Sequence, residues 1–208
     1  RFVGTCTIGT DHMDLAWLDR AGIAWRAAPG CNANSVSEYV TAALLCLGQR
    51  LSFRLEGKTI GVIGVGNVGR RVVEKAQALG LRVLQNDPPR AEAEGDPVFR
   101  PLDELLAEAD ILTLHTPLTS AGPHPTRHLA GRRFFERIKP GLVFLNAGRG
   151  AVMDSEAFLT ARAVGRLAAA VLDTWEGEPR FRPDVLARAD LATPHIAGHS
   201  FEGKVMGT

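Results

Sequence analysis

Cysteine is scarce in this sequence, with three among 208 residues: Cys6, Cys31 and Cys46. The number is odd and no CxxC or other metal-ligand spacing occurs, so no metal site is expected and a disulfide framework is not what organises the chain. Ordinary thiols in a reducing compartment are expected, and the cytoplasm is the natural one. No apolar run approaches the roughly 20 residues of a membrane span, and no charged leader precedes a hydrophobic stretch. No membrane partner is therefore expected. An excess of one charge is lacking too: 24 Lys and Arg face 23 Asp and Glu, a formal net charge of +1. Such a chain has no field with which to attract nucleic acid, and a small molecule is the expected partner. Repeats and low-complexity tracts are missing as well. The length suits one large domain or one domain plus part of another. A fragment is expected, because "RFVGTC" reads as a strand already under way and "GHSFEGKVMGT" as a helix just starting.

What is present, between Lys58 and Pro194, is an alternation of short apolar runs with helix-like segments, the pattern of β-α-β units around a parallel sheet. Strands are expected at Ile60–Ile63, Arg82–Gln85, Ile111–His115, Leu142–Asn146, Ala168–Leu172 and Asp190–Ala192. They are rich in Val, Ile and Leu, as strands covered on both faces must be. Val68, Val72, Ala76 and Leu79 share one helical face, and Arg70, Arg71 and Lys75 lie largely away from it. "PLDELLAEA" opens a helix on proline, while Asp154 caps another that Gly165 stops. The fold class expected is α/β, a doubly wound parallel sheet of Rossmann type. Upstream, "RFVGTC" and "IAWRAAPG" look like strands of a different unit, separated by the helical "DLAWLDRAG". Residues 1–34 are thus expected to be a remnant of a second domain, 35–193 the main domain led in by an apolar helix over 35–50, and 194–208 a return crossover.

Gly64, Gly66 and Gly69 form G-x-G-x-x-G directly after an apolar strand and before an amphipathic helix. The first glycine allows the tight turn, the second the approach of a pyrophosphate, and the third close helix–strand packing. The helix beginning at Asn67 and Val68 would aim free N–H groups and its positive dipole end at phosphates. Asp87 ends the next strand, where an acid accepts hydrogen bonds from ribose hydroxyls and repels a 2′-phosphate. NAD is therefore the expected cofactor, with Arg90, three residues on, keeping NADP open.

Three later strand ends carry unusual polar residues: Arg149 in "LNAGRGAVMD", Asp173 and Glu178 in "AVLDTWEGEP", and His195 in "ATPHIAGHS". Oxidation of an alcohol by hydride transfer needs a base, a group that holds the base in one tautomer, and a cation for a carboxylate or forming carbonyl. His195, Glu178 and Arg149 are of those types. Sequence distance alone does not bring them together.

From "TIGTDHMD" through "PGCNANSVSEYV", "GVIGVGNVGRRV", "DPPRAEAEG", "HTPLTSAGPHPTRHL", "NAGRGAVMD" and "LDTWEGEP" to "TPHIAGHSFEGKVMGT", the chain resembles the D-2-hydroxyacid dehydrogenases over essentially its whole length. "GCNANSVSEYV", "DPPR" and "HIAGHSFEGK" make it similar, within that family, to the branch acting on a small phosphorylated 2-hydroxy acid, 4-phospho-D-erythronate. The resemblance implies a smaller flavodoxin-like substrate domain represented here only in part, and a homodimer for the full-length protein. It implies that Arg149 binds the substrate carboxylate and carbonyl, that His195 is the acid/base, and that Glu178 hydrogen-bonds it. Asp87 then holds the ribose, Thr116, Ala147, Gly148 and Arg149 line the nicotinamide half, Asp173 faces the carboxamide, and Gly198 lies close to the cofactor. Thr7 matches a substrate contact. Two positions depart from the pattern: His199 stands where a substrate-contacting tyrosine is expected, and Gly148 where a cysteine is common. A sister enzyme acting on glycerate, lactate or phosphoglycerate, and an NAD-sensing module without turnover, are the alternatives.

Overall fold

The computed structural model describes residues 1–207 and distributes their strands between two sheets, one of two strands and one of six. Near the N-terminus, β1 (Phe2–Thr5) and β2 (Ala24–Ala27) pair in parallel, with Phe2 opposite Ala24 and Thr5 opposite Ala27. Helix α1 (Leu15–Arg20) makes the crossover between them, started by Asp14, whose carboxylate accepts a hydrogen bond from the Trp17 amide at 2.8 Å. This is the usual way to satisfy a free first-turn donor. Helix α2 (Ala33–Arg50) follows and buries Val36, Val40, Ala43, Leu44 and Leu47 along one face. It begins two residues before the expected Ser35, because the turn over 28–33 already leads in with the Cys31 amide bonded to Ala28 O and the Ala33 amide to Gly30 O.

The rest of the chain winds β3 (Thr59–Ile63), α3 (Asn67–Ala78), β4 (Arg82–Asn86), α4 (Pro88–Glu94), α5 (Leu102–Glu108), β5 (Ile111–Leu114), α6 (Arg132–Arg137), β6 (Leu142–Asn146), α7 (Ser155–Ala163), β7 (Leu167–Leu172), α8 (Pro183–Leu186), β8 (Leu191–Ala192) and α9 (Phe201–Gly207). All strand pairs are parallel, in the order β4-β3-β5-β6-β7-β8. Each of the six strands expected between Lys58 and Pro194 forms within one residue of its expected limits, whereas the strand expected in "IAWRAAPG" ends at Ala27. Side chains alternate between the two covered faces. Ile60, Val62, Val143, Leu145 and Val171 pack with Val40, Leu44, Leu47, Val72 and Ala76 of α2 and α3. Ile63, Leu112, Leu114, Phe144 and Leu172 face Leu105, Phe134, Phe135 and Phe158 of α5, α6 and α7, and the Phe135 and Phe144 rings meet edge to face at 5.4 Å. Burial on both sides is the reason these strands read as continuous apolar runs.

Three helices were not expected: α4, α6 and the single turn α8, which Pro183 opens. In "DPPR", where no helix was expected, Asp87 caps α4 by accepting from the Arg90 amide, both prolines occupy the first turn, and Gly95 ends the helix at φ +65°. Proline's fixed φ and missing N–H suit that first turn as well as they suit a loop. Helix α6, in "RRFFER", is too short for a clear period and is held by burial of Phe134 and Phe135.

The chain leaves β3 toward β4 on one side and returns to β5 on the other. In parallel α/β sheets, the crevice beyond the strand ends at such a reversal is where ligands bind.

Candidate active site

At that reversal, Gly64 has φ +85°, and a Cβ placed on it would fall 2.8 Å from His115 C and Thr116 N. Both the left-handed backbone and the contact with the end of β5 require glycine. A Cβ on Gly69 would lie 2.0 Å from Gly64 O, whereas one on Gly66 would meet nothing within 4 Å. The third glycine is therefore a packing glycine, and the second borders open space, as a ligand-approach position must. Helix α3 starts there with no side-chain cap, so its first amides, from Asn67 and Val68, keep their donors for an anion. At the same corner the Thr116 hydroxyl is buried without a partner among the described residues. These features fit a dinucleotide pyrophosphate.

Asp87 lies where the ribose acid is expected, but it also holds the corner itself: Oδ2 accepts from the Val65 amide at 2.8 Å and Oδ1 from the Arg90 amide at 3.2 Å. Arg90 is committed to protein. Its Nε and Nη2 donate to Glu94, Nη1 donates to Val65 O at 2.7 Å, and the guanidinium carbon stands 4.7 Å from the centre of the Phe99 ring. Neutralised in this way, it is a poor receptor for a 2′-phosphate. A groove of about 530 Å³ runs alongside, lined among others by Gly66, Asn67, Arg90 and Phe99.

The three residues expected to do the chemistry follow β6, β7 and β8. Glu178 and His195 are in direct contact, with His195 Nδ1 at 2.7 Å from Glu178 Oε2. A carboxylate only accepts, so Nδ1 carries the proton and Nε2 is left as the basic nitrogen. The other Glu178 oxygen accepts from the Trp175 amide at 2.6 Å, which fixes the carboxylate across its own turn. His195 sits at φ +55°, held there by its amide bond to Asp173 O at 2.7 Å. Arg149 bonds neither of the other two. Its Nε pairs with Asp11 at 2.7 Å and Nη1 donates to Gly148 O at 3.0 Å. It joins the pair through backbone packing instead: a Cβ on the neighbouring Gly150 would lie 2.0 Å from Trp175 C.

Several expected contacts have a second commitment. Asp173 is 1% exposed, and its oxygens accept from the Thr193 hydroxyl at 2.6 Å and the amides of Ile196 and Ala197 at 2.8 and 2.9 Å. It organises the loop that carries His195. Gly198 packs on α2's lead-in, since a Cβ there would come within 2.4 Å of Asn32 Nδ2. Gly148 donates its amide to Asn146 Oδ1 at 3.1 Å, and a Cβ would approach Leu114 O to 3.1 Å, so a cysteine there would need a small shift. Ala147 is half-buried and His199 exposed. Thr7 is exposed and gives its hydroxyl proton to Gly9 O at 2.8 Å.

Three supporting residues escape a reading by residue type. Asn146 is fully buried and holds the arginine loop from both sides, its Nδ2 donating to Arg149 O at 3.0 Å. An Asn closing an apolar strand was the available signal. Tyr39 from α2 bonds Thr193 at 2.6 Å, and burial, partly offset by that bond, pushes its phenol up. Glu176 accepts from the Ser155 amide and hydroxyl and pairs with His128 at 2.5 Å, tying the arginine loop to the turn of Glu178. Burial would raise the Glu176 carboxyl, but the His128 and Ser155 hydrogen bonds outweigh it and hold it below the usual range.

A family model described as "D-isomer specific 2-hydroxyacid dehydrogenase, NAD binding domain" matches residues 40–197. The chain belongs to the D-2-hydroxyacid dehydrogenase family. Its cofactor is NAD. Among curated relatives, proteins named erythronate-4-phosphate dehydrogenase from Escherichia coli O1:K1 and Shigella boydii serotype 18 are 52% identical over all 208 residues, which cover 55% of their own length. The chain thus spans about half the length of the curated relatives it matches. Among solved family structures, D-lactate dehydrogenase from Aquifex aeolicus with NAD and lactic acid has a TM-score of 0.83 at 27% identity, covering all of this chain and 72% of that one. The NAD-dependent formate dehydrogenase of Staphylococcus aureus in complex with NAD has a TM-score of 0.84 at 26% identity, covering 100% and 68%.

Proposed function

We propose that this chain is the NAD-binding part, with portions of the substrate domain, of an enzyme that oxidises 4-phospho-D-erythronate to 3-hydroxy-2-oxo-4-phosphooxybutanoate on the route to pyridoxal phosphate. The observation that carries the reading is the Glu178–His195 pair at 2.7 Å, on the strand-end side of a dinucleotide fold. The phosphorylated substrate is supported by the 52% identity to the erythronate-4-phosphate dehydrogenases. The division into residues 1–34, 35–193 and 194–208 is part of the same proposal, as are a cytoplasmic location and a homodimer in the intact enzyme.

NAD, when bound, supplies the acceptor for the C2 hydride. The protein does the rest. His195 takes the C2 hydroxyl proton at Nε2, and Glu178 holds the ring in the tautomer that leaves Nε2 bare and stabilises the charge the ring acquires. Arg149 meets the substrate carboxylate and the carbonyl oxygen as it forms, using planar donors that suit both. Asp87 would hold the ribose of NAD by accepting from its hydroxyls, and Thr116 would line the nicotinamide half.

The test is NADH formation by the intact enzyme with 4-phosphoerythronate. His195→Ala is expected to slow turnover about 10²–10⁴-fold with NAD binding retained. Activity confined to unphosphorylated acids would overturn the substrate, and absence of turnover with every 2-hydroxy acid would leave an NAD-binding module.

A further inference from the structure

We propose that Asp11 is a positioning residue for Arg149, holding one edge of its guanidinium so that the other edge is free for the substrate carboxylate. The inference rests on the dehydrogenase reading and deepens it. The two residues are 138 positions apart and come from the two different sheets' connections, yet Arg149 Nε and Asp11 Oδ2 stand 2.7 Å apart. An arginine has five N–H donors. The Nε donor is taken by Asp11 and one on Nη1 by Gly148 O at 3.0 Å. Three remain on the two terminal nitrogens, enough for a bidentate carboxylate.

The loop bearing Asp11 is shaped for this contact. A Cβ on Gly9 would lie 1.9 Å from Arg149 Nη2, so only glycine lets the guanidinium rest against that loop. Thr7, the proposed substrate contact, bonds Gly9 O from the same loop. The arginine is thereby oriented by the N-terminal segment while its backbone belongs to the NAD-binding domain. Docking the two together sets the donor edge. Without Asp11 the long side chain keeps its charge but samples more rotamers, and binding a carboxylate then costs the entropy of fixing it.

The test uses the intact enzyme with Asp11→Ala, Asp11→Asn and Asp11→Glu, reading KM for 4-phosphoerythronate and for NAD separately, and the Kd of oxalate for the enzyme–NADH complex. Because the Asp11 side chain is 61% exposed, the effect expected is moderate. Asp11→Ala should raise the hydroxy-acid KM and the oxalate Kd about five-fold, with NAD KM unchanged within about two-fold, and Asp11→Glu should recover much of the loss. A merely structural role would shift both KM values and the melting temperature together, and that result overturns the proposal. Unchanged or tighter oxalate binding by Asp11→Ala also overturns it, since Asp11 would then be neutral or a competitor. Failure of the wild-type enzyme to oxidise any 2-hydroxy acid, with NADH still bound, takes down the dehydrogenase reading and the Asp11 assignment with it.

Discussion

Replacing Glu178 by glutamine tests the catalytic geometry most directly, because both carboxylate oxygens are committed to donors. Oε1 accepts from the Trp175 amide at 2.6 Å and Oε2 from His195 Nδ1 at 2.7 Å. A glutamine has one acceptor and one donor group for those two positions. If its oxygen stays on Trp175 N, its NH₂ faces Nδ1 and stabilises the tautomer with the proton on Nε2, which cannot act as a base. If it flips, the histidine keeps its useful tautomer but NH₂ confronts the Trp175 N–H, leaving a half-buried donor unpaired at about 1–3 kcal/mol. That alone is about five- to 150-fold in the population of the competent form. The charge that stabilises the imidazolium is lost as well, so kcat for hydroxy-acid oxidation is expected to fall about 10²–10³-fold. NAD affinity should stay within about two-fold, because neither group touches the glycine corner. The assay is steady-state NADH formation with fluorescence titration of NADH alongside. Retention of a third or more of wild-type kcat would refute the assigned tautomer and with it His195 as the base.

Two further outcomes follow from other parts of the site. Asp87→Asn keeps the size of the α4 cap but removes the charge, and is expected to raise the NAD KM about ten-fold, the scale of one hydrogen bond to a charged group, while narrowing the preference over NADP; unchanged NAD and NADP kinetics would remove Asp87 from ribose recognition. His115 has some exposed surface, but its Nδ1 is sealed off without a partner among the described residues, and burial depresses the imidazole from 6.5 to about 4. The folded state therefore prefers neutral His115, so this contribution is complete above pH 6.5 and is lost as pH falls toward 4, by about 1–3 kcal/mol. Asp110 has a burial penalty outweighed by Lys139 and the Thr59 amide, and both it and Glu176 sit below the usual carboxylate range. Their contributions begin to be lost only below about pH 5, as pH falls through the unfolded carboxylate values, and are lost alike in the wild type and in His115→Gln. Urea unfolding of the NAD-free protein between pH 7 and 4 should show the wild type losing stability that His115→Gln does not, and identical slopes would refute the assignment.

Much of the fold was legible in the residues. Strand positions were readable because β3, β5, β6 and β7 are covered on both faces, so burial wrote itself into composition as runs of Val, Ile, Leu and Ala. Asp154 and Gly165 marked α7 because a cap and a left-handed stop are local chemistry; Asp154 accepts from the Ala157 amide at 2.9 Å and Gly165 has φ +71°. Helix α4 was hidden by its two prolines, which serve equally well in a first helical turn and in a loop. In the site, the residue types of a dehydrogenase were evident, and their meeting was not. The partner of Arg149 could not be read from "TDHMD", since nothing local relates an exposed aspartate to an arginine on another sheet.

By itself, then, the amino-acid order determined the elements and the kinds of chemistry available: glycines where backbone must turn or approach, an acid at a strand end, and a base, an acid and a cation after three later strands. Tertiary structure alone decided which groups distant in sequence share bonds. It gave His195 its tautomer by setting Glu178 against Nδ1, turned Asp173 toward the histidine loop, tied Arg90 to Val65 O and brought Asp11 to Arg149. The reason is physical. Backbone preference and burial act over a few residues and leave a trace in sequence, whereas hydrogen-bond partnership depends on distances between segments that only the packed sheet and its crossovers establish.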